Sequence, residues 1–85
     1  MEIRYRPSFE REFKKLSKEL KDLAEEMVEM FMVNPFDPRL KAHKLNGGLE
    51  DYWSFSIDFR NRILFRFENS NVVEFYRIGD HDIYG

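Results

Sequence analysis

Residues 53–67, Trp-Ser-Phe-Ser-Ile-Asp-Phe-Arg-Asn-Arg-Ile-Leu-Phe-Arg-Phe, decide how this chain folds. Trp53, Phe55 and Ile57 alternate with Ser54, Ser56 and Asp58; Ile63, Phe65 and Phe67 alternate with Arg62, Leu64 and Arg66. A period of two marks a strand with one apolar face, so the stretch predicts two strands joined by a turn. Val73 and Phe75, alternating with Glu74 and Tyr76, predict a third. Cross-strand partners share a face, which pairs Ile57 with Ile63, Phe55 with Phe65, Phe65 with Phe75 and Phe67 with Val73. Loops 59–61 and 69–71 then each close on an asparagine, the non-glycine residue most tolerant of left-handed backbone. On the open face this register sets Asp58 against Arg62, Arg66 against Glu74 with Ser54 nearby, and Arg62 against Ile78, just before the carboxy-terminal segment. Arg62, His81 and Tyr84 then reach one edge of that face.

Upstream the period changes. Ile3 and Tyr5 alternate with charged neighbours over Glu2 to Arg6, suiting a short first strand. Pro7 and Ser8 open a helix at the position where proline is best tolerated, and Phe9, Phe13 and Leu16 follow at helical spacing. Ser17 is a candidate cap for a second helix to about Val33, with Leu20, Leu23, Met27, Met30 and Phe31 as its apolar stripe and Ala24 beside it. One continuous helix is the alternative, but it would leave much of the stripe uncovered, which favours a hairpin. Asn34-Pro-Phe-Asp-Pro ends the helical part, and residues 39–49, containing Gly47-Gly48, form a connector. The expected fold is α+β, in the order β-α-α-β-β-β, with an antiparallel sheet covered on one face by a two-helix hairpin.

Eighty-five residues make a single domain, 1–85, and a chain this short buries only about 60–65% of its unfolded surface. Nine Phe, four Tyr and one Trp supply large apolar areas for that core, chiefly Trp53, Phe55, Phe65, Phe67 and Phe75. With no cysteine, disulfides and thiolate metal sites are excluded; His43 and His81 are too few for a zinc site without other ligands, so no metal and no cofactor is expected. The amino-terminal residues contain no apolar signal-like run and no stretch approaches a membrane span, which points to the cytoplasm and away from the membrane. A net charge of −2 argues against a broad polyanion-binding surface, so any nucleic-acid contact must rest on a local group of cations.

Three segments resemble the RelE/StbE (YafQ-like) branch of the RelE/ParE toxin superfamily. They are Asn34-Pro-Phe-Asp-Pro, the run from His43 to Ile57, and Arg62-Ile-Leu-Phe with the closing Ile78-Gly-Asp-His-Asp-Ile-Tyr. The resemblance covers essentially the whole chain. It implies a toxin silenced by a cognate antitoxin in a hetero-oligomer, and a metal-independent endoribonuclease that cuts mRNA on the ribosome. There the RNA 2′-hydroxyl attacks the adjacent phosphate, which requires a base, an acid and positive charge on the developing phosphorane.

Carried over residue by residue, the resemblance makes Arg62 the phosphate-binding guanidinium. His81 becomes a general acid or base, because imidazole exchanges protons near neutral pH. Tyr84 orients or stacks on the RNA, and His43 is the second proton-transfer group. RelE carries two lysines on the second strand where Ser54 and Ser56 stand here, so the remaining positive charge falls to Arg60, Arg66, Lys44 and Lys41. Two other functions stay open on the same scaffold: a ParE-like gyrase inhibitor, and a relative that binds its antitoxin without catalysis. Bland roles also stay open. Arg62 would simply pair with Asp58, and His81 or His43 would be solvated turn residues.

Overall fold

Ser17 turns the amino-terminal helical segment into a hairpin. Helix α1 (Pro7–Lys14) begins at proline and ends as the Lys15 and Leu16 N–H groups bond back to Glu12 and Phe13 carbonyls at 3.2 and 3.1 Å. Helix α2 (Lys18–Val33) then starts with Ser17 Oγ accepting the Leu20 N–H at 3.2 Å, one of the orphan donors of a first turn. The cap therefore separates two helices where no glycine or proline does. The computed structural model describes residues 1–49 and 51–84.

Five strands follow the order β1-β5-β4-β3-β2: β1 (Glu2–Tyr5), β2 (His43–Lys44), β3 (Trp53–Ser56), β4 (Arg62–Phe67) and β5 (Val72–Gly79). The α+β arrangement expected from the sequence is present with two refinements. The connector contributes β2, a two-residue strand antiparallel to β3. In addition, β1 runs parallel to β5, so the sheet is antiparallel only from β5 to β2.

Two register expectations are corrected. Strand β3 pairs with β4 as Phe55↔Ile63 and Ser56↔Arg62, two residues away from the pairing that alternation suggested. A slip of two keeps every side chain on its face, so the apolar pattern cannot detect it. The turn decides instead. Asp58 Oδ1 accepts the Arg60 and Asn61 N–H groups at 2.8 and 2.6 Å, and the Asn61 carbonyl accepts the Ile57 N–H at 2.8 Å. Asp58 is thus spent on its own loop and does not face Arg62. Against the cost of partial burial, these bonds hold its carboxyl below the ordinary range.

The second correction lies between β4 and β5. Phe67↔Val73, Arg66↔Glu74 and Phe65↔Phe75 pair as expected, but Leu64 then pairs with Arg77, leaving Tyr76 as a bulged residue. Arg62 consequently faces Gly79 and not Ile78. Unbroken alternation would have driven Arg77 into the core. The bulge sends Ile78 there instead, 2% exposed, and leaves Arg77 bound to Glu12 of α1 at 2.7 Å. Glu12 also accepts the Ile78 N–H at 3.2 Å, while Ser8 donates to the Tyr76 carbonyl at 2.6 Å. Helix α1 so satisfies the stretch of β5 that runs past the end of β1.

The core centres on Phe31 of α2, whose ring lies 4.8 Å from Phe55, 5.0 Å from Phe65 and 5.5 Å from Phe75. All four rings are fully buried. Ala24 is buried as well, and Leu20, Leu23, Met27 and Met30 pack half-buried around it, as does Leu16 just beyond the end of α1. Trp53 and Phe67 are half-buried under Phe36, at 5.5 and 6.0 Å. Among the described residues no helix is long and apolar enough to cross a membrane.

Truncating Phe31 to Ala removes the ring that three others contact, and should cost about 3–5 kcal/mol in a urea titration. Asp58, with its folded-state pKa depressed, contributes stability that is complete above the unfolded carboxyl value of 3.8 and is lost as pH falls through the lower folded value. Asp58→Asn should therefore be less stable than the parent at pH 7, and the gap should narrow as both are acidified below about pH 4. An unchanged gap would place the loop's stability elsewhere.

A guanidinium-centred candidate active site

The corrected register builds the site. Arg62 opens β4 opposite Ser56, and its Nη1 donates to Ser56 Oγ at 2.5 Å. Its Nε donates to Ser54 Oγ at 2.9 Å. Its Nη2 reaches the Lys41 carbonyl at 3.0 Å, His43 Nδ1 at 3.2 Å and the Ser54 carbonyl at 3.3 Å. Every one of these partners is uncharged. Arg77, Arg39, Arg4, Arg6 and Arg66 each have a carboxylate within 4 Å, whereas Arg62 has none among the described residues. A half-buried guanidinium held only by neutral acceptors keeps its full charge for an anion, and its planar fork matches phosphate oxygens.

The connector supplies two of those acceptors. Asp37 caps the 3₁₀ turn Pro38–Leu40 by accepting the Arg39 N–H at 2.9 Å, and the Arg39 side chain and N–H hold its carboxyl down at about 2. Leu40 is fully buried and anchors the turn. Lys41 then takes a left-handed conformation, φ 51°, and its carbonyl meets the guanidinium. From there β2 lays His43 opposite Ser54 and Lys44 opposite Trp53.

The contact between Arg62 and His43 constrains a proton. A guanidinium has no lone pair to offer, so His43 Nδ1 must accept, which leaves the neutral ring's proton on Nε2. The other neighbour of Nδ1, the Lys41 carbonyl at 3.4 Å, would be chosen only by a ring carrying a proton on Nδ1. Arg62 thereby selects an imidazole that donates from Nε2. His43 and Lys44 line an open groove of about 380 Å³ with Leu45, Asn46, Leu49 and Tyr84.

The carboxy-terminal 3₁₀ turn His81–Tyr84 closes the other side. Ile83 is buried beneath it, and a Cβ placed on Gly79, φ 155°, would stand 3.2 Å from the Ile83 Cγ2. The residue facing Arg62 is therefore best left without a side chain. Tyr84 donates its hydroxyl hydrogen bond to Ser54 Oγ at 3.0 Å, joining the cluster through the same buried serine that Arg62 uses. His81 lies two residues beyond Gly79, exposed and without a hydrogen bond or ion pair among the described residues.

The structure so gathers Arg62, His43, Tyr84 and the Lys41 carbonyl, with Lys44 on the groove wall; His81 is in the adjoining turn and makes no hydrogen bond to them. Arg60 and Arg66 stand elsewhere. Arg60 lies on the exposed turn beyond Ser56. Arg66, at the far end of β4, is 3.6 Å from Glu74 and about 5.9 Å from the rings of Tyr52 and Tyr76. Burial and the Glu74 acceptor push the Tyr76 phenol up to about 12, which fixes it as a donor. Ser54 and Ser56 are the members that sequence reasoning missed, having set Ser54 near Arg66. A two-residue shift of the β3–β4 pairing would have revealed both.

No family model matches the sequence, and no curated protein matches it either. Solved structures do. A YoeB/ParE toxin from Agrobacterium tumefaciens is 19% identical, with a TM-score of 0.81 over 95% of this chain and 99% of that one. YafQ from E. coli strain BL21(DE3) is 18% identical, with a TM-score of 0.76 over 98% and 96%. The YoeB–YefM complex from Staphylococcus aureus is 19% identical, with a TM-score of 0.78 over 95% and 97%. These near-complete overlaps at low identity are a likeness of architecture, and this chain has the fold of those YoeB/ParE and YafQ toxin structures.

Proposed function

We propose that this protein is the toxin of a type II toxin–antitoxin pair, of the RelE/YafQ-like kind, and that it cuts mRNA on the ribosome in the cytoplasm without a metal. The observation that carries this reading is Arg62, half-buried, ringed by neutral acceptors and bonded to His43 beside Tyr84. In the reaction the RNA 2′-oxygen bonds to the adjacent phosphorus and the bond to the 5′-oxygen breaks, leaving a 2′,3′-cyclic phosphate. One group takes the 2′-hydroxyl proton and another delivers a proton to the leaving oxygen.

The exposed His81 suits either proton transfer. His43, neutral with its proton on Nε2, donates a hydrogen bond there and serves as the acid only once protonated on both nitrogens, with Nδ1 turned from Arg62 to the Lys41 carbonyl. Arg62 meets the growing charge on the non-bridging oxygens, using the Nη1 hydrogen that Ser56 does not take. Tyr84 orients the substrate from the groove wall. Lys41 and Lys44 hold backbone phosphates at the rim, with Arg60 and Arg66 further along the strand. A net charge of −2 makes these local cations matter more than the overall field. The antitoxin would cover the open sheet face or its edge; YoeB of Staphylococcus aureus is found in complex with YefM.

A second reading keeps only the scaffold. Most of the N–H donors of Arg62 are engaged by its own chain, which suits a structural hub in a protein that binds gyrase or its antitoxin without cutting RNA. Two assays separate the readings. Toxin freed of antitoxin should cleave mRNA on programmed ribosomes and leave gyrase supercoiling untouched; the reverse pattern would establish the binder. Arg62→Lys should lower single-turnover cleavage about 100- to 1,000-fold, the scale of losing one preorganised donor to a developing oxyanion. His43→Gln and His81→Ala should each lower it at least about 100-fold. Circular dichroism should report unchanged folds. Full activity in all three variants would remove this site from consideration.

A further inference from the structure

Among the described residues Phe59 is the most exposed large apolar side chain, ahead of Val33 at 88%. It is 96% exposed, on the turn between β3 and β4. The other exposed aromatic rings have apolar partners: Phe36 lies against Trp53 and Phe67, and Tyr5 against Phe9 and Phe75. Among the described residues no second aromatic ring lies against Phe59, and the cation beside it is the Arg60 guanidinium, 6.0 Å from its centroid. Leaving a phenyl ring in water forgoes the stabilisation its burial would give, so packing offers no reason for this residue.

The turn that carries it is fixed rather than loose. Asp58 Oδ1 accepts the Arg60 and Asn61 backbone N–H groups at 2.8 and 2.6 Å and the Asn61 side-chain amide at 3.2 Å. The Asn61 carbonyl takes the Ile57 N–H at 2.8 Å, and Ile57 is 3% exposed. The conformational cost of presenting the ring is therefore met by folding and is not paid again on binding. The turn also begins and ends at the site. Its flanking residues are Ser56 and Arg62, joined by their side chains, so the Phe59 Cα is at most about 10 Å of extended chain from the Arg62 Cα.

We propose that Phe59 and Arg60 form a stacking seat for an unpaired nucleobase next to the phosphate held by Arg62. The guanidinium stands 6.0 Å from the ring centroid, and at 96% exposure both faces of the ring are open. Arg60 has no carboxylate within ion-pair distance among the described residues, so the seat is cationic as well as flat. A flat π surface beside a guanidinium that makes no ion pair within 4 Å is the chemistry that holds single-stranded RNA, base on ring and phosphate near the cation. A protein pocket for phenylalanine would need apolar bulk, not a bare face beside a phosphate site. The seat rests on the nuclease reading above and deepens it, by adding a substrate contact outside the reacting atoms.

The test is single-turnover cleavage on ribosomes programmed with a short mRNA, titrating wild type, Phe59→Ala, Phe59→Leu and Phe59→Trp. Because the side chain is solvated, all four should melt within about 3 °C of one another. Phe59→Ala should raise the half-saturating toxin concentration roughly 5- to 100-fold and leave the saturated rate unchanged. Phe59→Trp should restore it. Phe59→Leu, apolar but without a flat face, should not. Wild-type saturation by Phe59→Ala overturns the seat, and so does rescue by Phe59→Leu, which would mark an ordinary apolar contact. Weaker capture of the co-expressed antitoxin with unchanged cleavage overturns it in favour of a protein partner. A wild-type protein that leaves mRNA intact defeats the nuclease reading itself, and the seat falls with it.

Discussion

The carboxylate of Asp58 sets the register on which the rest of the site depends. By closing the turn on the Arg60 and Asn61 N–H groups, it holds Ser56 opposite Arg62. A slip of two residues would preserve every core contact by face, because Phe55, Ile57, Ile63 and Phe65 would still point inward. It would also bring Asp58 across from Arg62, and the guanidinium would gain a counter-ion. The difference between a neutralised surface pair and an exposed positive charge is thus one turn. Few kilocalories separate such registers, and a handful of backbone hydrogen bonds in the loop is enough to choose.

The same dependence continues on the other side of β4. The bulge at Tyr76 moves Ile78 into the core, brings Gly79 beside Arg62, and lets the final 3₁₀ turn settle over the end of the strand. Glu12 secures it by taking both the Arg77 guanidinium and the Ile78 N–H. The pair is half-buried, and each partner is both charge-paired and hydrogen-bonded there. The position of Tyr84 and His81 therefore rests on a helix more than sixty residues earlier in the chain.

Period and capping carried the legible part of the fold. The Ser17 break, the end of α2 near Val33, the three apolar strands and the strand rings of the core follow from capping and spacing; that Phe31 stands at the centre of those rings does not. What alternation could not show was anything that preserves faces or interrupts them. The β3–β4 slip preserves them, so it was invisible. The bulge interrupts them, and its sign was present: Arg77 falls where an apolar residue belongs and Ile78 follows it. The place of β2 was hidden for another reason. It hangs on a left-handed Lys41 and on a carbonyl, and a backbone acceptor leaves no residue signature. Arg62, His43 and Tyr84 were nameable from the sequence, but their meeting point, Ser54, was not.

The two serines also change what a missing lysine pair means. A lysine at position 54 or 56 would put a second cation within a few ångströms of Arg62, and like charges that close repel in a half-buried site. Serine instead takes a guanidinium hydrogen and turns Arg62 into a fixed fork. Ser54 does so while fully buried, accepting from Arg62 Nε and from the Tyr84 hydroxyl at once. Charge is then concentrated at one rigid point rather than spread over three mobile ones. In a chain of net charge −2, a single oriented cation with no carboxylate beside it can draw a phosphate to one spot, while the acidic remainder gives little general pull on RNA.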